Sequence, residues 1–258
     1  MKFVWVLITV LSLNAFGLTY KSDNFTVEYD ANVSKEIVAK LATQIEKERA
    51  IVLNYLNQST SYHGTPIKEP LIVYISKKKR IPYQDWNTIH LPEKRVLQTF
   101  SEEVLSEKVK GANAGLAVIH ELTHVYAVSA YRKQKKNGYE DRFFDDGIAV
   151  FLQHRFGAVP EYPDFGHDLY RAVAVAATEY GQLIRLAEAE NVRHSAKTGL
   201  GRKLAYLQEG AFTQFLIERF GLTTYLEIYA GADVKVKTGY SLIELEKQWV
   251  TLISVFMS

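Results

Sequence analysis

The stretch 119–124, Ile-His-Glu-Leu-Thr-His, constrains this chain more than any other. It lies in a segment carrying Leu116, Ile119, Leu122, Val125, Tyr126 and Val128, with small residues Ala112, Ala114, Gly115 and Ala117 ahead of them. The spacing predicts a helix from about Ala114 to Tyr131, preceded by Asn113 and apolar nearly all round, hence buried. A buried helix tolerates polar side chains only where they find partners. Yet His120, Glu121 and His124 fall in its middle. On a helix, His120 and His124 are one turn apart and project from the same face. Two neutral imidazoles so placed can bind one Zn2+. Glu121 beside them can then take a proton from water at the metal, as the H-E-x-x-H pattern requires. The competing reading is a pair of hydrogen-bonded core histidines.

There are no cysteines. Thiolate sites, disulfides and a cysteine nucleophile are therefore excluded, and a metal must be held by His, Asp or Glu. A catalytic zinc needs a third protein ligand and one open position. The metzincin pattern would place a glycine and a third histidine where this chain has Ala127 and Ala130, so that option is lost. The third ligand must come from a separate helix. Asp145-Asp146-Gly147 precedes a second apolar helix, predicted from Ile148 to about His154 and closed near Gly157. Phe143–Ala149 is the place to look, and Asp145 and Asp146 are its acidic residues, pointing about 100° apart on a helix. The alternative is that either aspartate merely caps the helix.

The remaining segments frame this pair. Lys2 is followed by an uncharged apolar run from Phe3 to Leu11, then small residues at Ala15 and Gly17. That is a secretory signal pattern over 1–17, too short for a comfortable membrane span. An uncleaved anchor or a buried strand competes with it. Residues 18–258 are expected to form one domain, α/β to about 131 and helical from about 140. Phe25–Tyr29 and Leu71–Ile75 read as strands. Ser34 caps a helix predicted from Lys35 to Asn57, with Val38, Leu41, Ile45, Val52 and Leu56 on one face. The stretch from Ser76 to Leu91 is irregular, and Arg95–Phe100 is expected as an edge strand able to pair with an extended substrate. Helical spacing resumes from Asp168 to about Ala189. Asn191–Gly201 is polar and reads as a mobile connection. Helices follow over Arg202–Phe220 and Leu222–Tyr229, and Ser241–Glu244 is a capping box heading the last. The expected class is α+β: a small N-terminal mixed or antiparallel sheet with a long helix, followed by a mainly helical part.

With these residues in hand, the chain resembles the gluzincin metallopeptidases, the thermolysin-like class of peptidase-MA-like proteins. There H-E-x-x-H is followed some twenty residues later by a ligand helix reading Glu-Gly-x-Ala. Here Phe144-Asp145-Asp146-Gly147-Ile148-Ala149 matches, with Asp146 at the glutamate position. Tyr206–Phe212, Phe215–Gly221 and Ser241–Trp249 resemble the helices that follow the site. The resemblance implies a zincin-like fold, Zn2+ on His120, His124 and Asp146 with Asp145 as the reserve ligand, and Glu121 as general base. It also implies a Tyr or His donor to the oxyanion, for which Tyr206 is the candidate and His194 and His167 are weaker ones. Asp145 or Asn113 is a candidate partner for an imidazole N–H. The departure is aspartate for glutamate, shorter by one methylene, so the second helix must approach closer.

The expected function is an exported zinc-dependent peptidase acting on a peptide or protein substrate. A catalytically inactive peptidase-like binding protein that keeps the fold is the alternative, and a secreted protein using the histidines without hydrolysis is a third reading. The net charge of +2 gives no electrostatic case for nucleic acid. The dense basic run Lys77–Arg80 reads as a solvated loop. No stable membrane insertion is expected once the signal is removed.

Overall fold

The computed structural model describes residues 17–100, 115–127, 142–157, 168–195 and 199–257. The signal segment, Asn113 and Ala114, the stretch 128–141, the loop predicted over Ala158–Phe165, and His167 lie outside them.

Strands β1 (Leu18–Lys21), β2 (Phe25–Tyr29), β3 (Leu71–Ser76), β4 (Tyr83–Asp85) and β5 (Thr88–Pro92) form one five-stranded sheet ordered β1-β2-β3-β5-β4. The inner strands β2, β3 and β5 are parallel, and both edges are antiparallel. Alternation explains the burial. Phe25, Val27, Leu71, Val73, Ile75, Ile89 and Leu91 are all buried, while Thr26, Glu28, Ile72, Tyr74 and His90 between them are half-exposed. Helix α1 (Lys35–Leu56) adds Val38, Leu41, Ile45, Val52 and Leu56 to the same core. Its first turn is closed by Ser34 Oγ, which accepts from the Ile37 N–H at 3.3 Å.

Two readings fail beside the sheet. Arg95–Phe100 is not an edge strand but belongs to helix α2 (Glu93–Phe100). Val96, Leu97 and Phe100 suit a helical face as well as they suit a strand, and Val96 is driven into the core. The irregular stretch after Ser76 contains the β4–β5 hairpin, turned at Trp86 with a left-handed φ of 52°. The sheet edge near the H-E-x-x-H helix is β4, which packs against it.

That helix is α3 (Val118–Ala127). It starts later than expected, because Ala117 has φ 48° and no right-handed helix can run through it. Further along it, Thr65 Oγ1 donates to the Val125 carbonyl at 2.6 Å and the Tyr62 hydroxyl to the Tyr126 carbonyl at 3.0 Å, tying the helix to the connection before β3.

The remainder is helical: α4 (Phe143–Phe156), α5 (Leu169–Tyr180), a 3-10 turn at Leu186–Glu188, α6 (Ala189–Ser195), α7 (Gly199–Tyr229), α8 (Val234–Thr238) and α9 (Leu242–Met257). The helix from Asp168 stops at Gly181, which is left-handed at φ 96°, well short of Ala189. The polar stretch from Asn191 contains most of α6 rather than a connection alone. The break at Gly221 is present, with φ 83° and ψ 158° inside α7. Ser241 and Glu244 cap α9 reciprocally, at 2.7 Å and 3.3 Å.

Helix α4 packs against α3 on one side and α7 on the other. Glycine permits the second contact. A Cβ on Gly147 would fall on Thr213 Oγ1 and 2.9 Å from the Glu209 carbonyl oxygen, and one on Gly210 would crowd Val150. The chain is thus a mixed α+β protein, with a small sheet and long helix at the front and helices behind. Among the described residues, no helix is long and apolar enough to cross a membrane.

Candidate metal centre

His120 and His124 project from one face of α3 with ring centroids 4.8 Å apart. Asp146 reaches them from the first turn of α4. Its Oδ1 lies 3.8 Å from His120 Nε2 and 3.5 Å from His124 Nε2. One donor atom from each residue falls within 4.8 Å of the others, and all three side chains are buried. Bonds of about 2.0–2.2 Å in a tetrahedron put ligand atoms about 3.3–3.6 Å apart. The two nitrogen–oxygen separations are near that spacing, so the three residues fit a single metal ion. The shorter aspartate suffices because α4 lies directly against α3.

Neither aspartate caps a helix that begins at Gly147. Helix α4 starts at Phe143, so both lie within its first turn and their side chains point to α3 and α6. Their roles differ. Asp145 Oδ2 stands 3.1 Å from His124 Nδ1, the nitrogen turned away from Asp146, and Asp145 Oδ1 accepts from the Tyr229 hydroxyl at 3.0 Å. Asp145 thus faces the imidazole from behind as a charge neighbour, close to Nδ1 but outside hydrogen-bond geometry, and does not join the cluster. On the other side, the His120 backbone N–H donates to Gln153 Oε1 on α4 at 3.1 Å.

Glu121 is buried on α3 beside the pair. Tyr206 lies on α7 with its ring 6.4 Å from that of His120, edge to face. The structure thus brings Tyr206 to the cluster, whereas His194 is exposed on α6.

Arg193, from the stretch read as a mobile connection, is the residue that sequence reasoning missed. Its side chain is 2% exposed and its Nη1 pairs with Asp146 Oδ2. Nη1 also lies 3.3 Å from Glu209 Oε2, and Nη2 lies 3.0 Å from Glu190 Oε1. The guanidinium sits over the Tyr206 ring at 4.8 Å. Arg142 Nε adds a longer contact to Asp146 Oδ2 at 3.5 Å. The one sequence signal for this cluster was Glu190 three residues ahead of Arg193, a helical ion-pair spacing.

The electrostatics follow from this crowding. Burial opposes charging every group. For Asp146 it is outweighed by His124, Arg193 and Arg142, which hold the carboxyl well below its usual range. Asp145 is lowered mainly by His124. His124 is raised well above the ordinary histidine value, since Asp145 and Asp146 overcome the burial that would lower it. Glu209 goes the other way: burial raises it, Arg193 offsets only part, and Asp146 and Glu190 push it further. Glu121, Asp145, Asp146 and Glu190 are buried carboxyls around the cluster, faced by Arg193 and by the His124 imidazole.

No family model matches the chain, and comparison with curated proteins and with solved structures returns no match. The metal-binding reading therefore stands on the geometry.

Proposed function

We propose that the protein is an exported zinc-dependent metallopeptidase of gluzincin type, with a zincin-like fold. The observation that carries this is the convergence of Asp146 Oδ1 from α4 on the two H-E-x-x-H imidazoles of α3. Two imidazoles and one carboxylate are the donor set of hydrolytic zinc sites. The signal pattern over residues 1–17 supports export.

His120, His124 and Asp146 would hold the ion. Zinc bound there would act as a Lewis acid on the scissile carbonyl and make water acidic enough to attack near neutral pH. Glu121 takes the proton from the attacking water and passes it to the leaving amine. Tyr206 brings a phenol to the same face and donates to the oxygen on which negative charge develops. Asp145 and Gln153 keep the α3 histidines in register with α4. An extended peptide finds the outer edge of β4 beside α3, which pairs with no further strand among the described residues and where its backbone can add to the sheet.

Elemental analysis of the purified protein and a peptide-library assay test the reading. One equivalent of zinc is expected, lost in His120→Ala. Glu121→Gln is expected to keep the zinc and lower hydrolysis by about 10^2–10^4-fold. Zinc without hydrolysis of any library member would point to the peptidase-like binding protein instead. Absence of zinc, or iron in its place, would overturn the proposal.

A further inference from the structure

Asp146 presents its two oxygens to different neighbours. Oδ1 faces the histidines, and Oδ2 faces Arg193 and Arg142. A carboxylate free to rotate about its last torsion can offer an ion either oxygen or both. Here one oxygen is already engaged, so the other alone is left for the ligand position.

The holder is itself held. Arg193 is buried, and the carboxylates around it come from three helices: Asp146 on α4, Glu190 on α6 and Glu209 on α7. A guanidinium is suited to this because it is planar and presents its donors in a fixed fork. One edge nitrogen, Nη1, reaches both Asp146 and Glu209, while Nη2 reaches Glu190. A lysine ammonium is a point charge on a flexible stem and cannot reproduce that fork. The Tyr206 ring closes the stack from α7.

Resting on the zinc reading of the site, we propose that Arg193 is a positioning residue: it pins Asp146 Oδ2 so that Asp146 binds the ion through Oδ1 alone. It touches neither substrate nor metal. Glu209 and Glu190 fix the fork, and the fork fixes the ligand. Partners of metal ligands, when removed, commonly weaken metal affinity by about 10–100-fold.

The test is zinc affinity, measured by competition with a chromophoric chelator, together with the visible spectrum of the cobalt-substituted protein. Arg193→Met is expected to bind zinc about 10–100-fold more weakly and to change the cobalt spectrum, with Arg193→Lys intermediate. A merely structural arginine would lower the melting temperature and leave the affinity and spectrum of the folded protein alone. Wild-type affinity and spectrum in either folded variant overturn the inference. Should Arg193→Met fail to fold by circular dichroism, the folded Arg193→Lys protein decides by the same two readouts. Failure of the wild-type chain to bind zinc sinks the reading of the site, and this inference with it. A zinc-binding wild type with indifferent Arg193 variants sinks this inference alone.

Discussion

Between residues 17 and 100 the buried side chains are nearly all apolar, with Glu48, Ser59 and Glu93 the polar members. Between residues 142 and 257 the buried set includes Asp145, Asp146, Gln153, His154, Glu190, Arg193, Gln208, Glu209 and Thr213. The first region folds as a small hydrophobic scaffold, stabilised by removing apolar surface from water. The second takes charges out of water, which costs several kcal/mol per ion before pairing offsets it. Stability alone favours apolar residues at such positions. The difference sets the candidate metal centre against the helical region. Helix α3 serves both: Ile119, Leu122 and Val125 join the apolar core, while His120, Glu121 and His124 enter the charged layer.

Substitutions can break this division. Asp146→Asn keeps the shape and removes the charge, leaving Arg193 short of its closest partner. A loss of about 3–5 kcal/mol is expected, measured by urea denaturation with chelator present so that metal does not contribute. A loss near zero would mean that ion pairing does not hold the helices together. Leu41→Ala, in the scaffold, should cost about 2–5 kcal/mol with zinc affinity unchanged, and a large affinity change would show the two regions to be coupled. Gly147→Ala forces α4 away from α7 and should cost about 1–3 kcal/mol. Unlike Leu41→Ala, it should also weaken zinc binding, because it displaces the turn that carries Asp146.

The smallest effect concerns pH. Burial would raise Glu69, but Arg49 at 2.7 Å and the Tyr126 hydroxyl hold it below its usual 4.5. A carboxyl lowered by folding contributes stability above its unfolded value and loses it as pH falls through the folded one. Glu69→Gln should flatten that acid limb by less than about 1 kcal/mol, read from melting temperatures between pH 6 and pH 3, both roughly chosen to span the window. An unchanged acid limb would show the ion pair to be inert.

Much of this was legible in the sequence because the signals are local. Ser34, the α1 stripe, the alternation in β2 and β3, Gly221 and the Ser241–Glu244 box each act within a few residues. His120 and His124 were legible for the same reason, and Asp146 followed from its neighbours. Arg95–Phe100 was misread because six residues can satisfy two periods at once, and contact with the core selects the helix. The β4–β5 hairpin hid because its turn uses Trp86 at positive φ, where glycine or asparagine would have announced it. Arg193 left only its spacing from Glu190 as a local signal. It sits in a polar stretch, and what buries it are carboxylates 47 residues before it and 16 after it.

The fastening of α3 to the connection before β3 sets the phase of the candidate site. A helix advances about 1.5 Å and turns about 100° per residue. Slippage by a single residue would carry both imidazoles past Asp146 and swing them off its face. Thr65 and Tyr62, on the connection before β3, resist that screw motion by gripping the Val125 and Tyr126 carbonyls. A loop that touches no ligand thus works as an index stop. It decides where along its thread the histidine pair comes to rest.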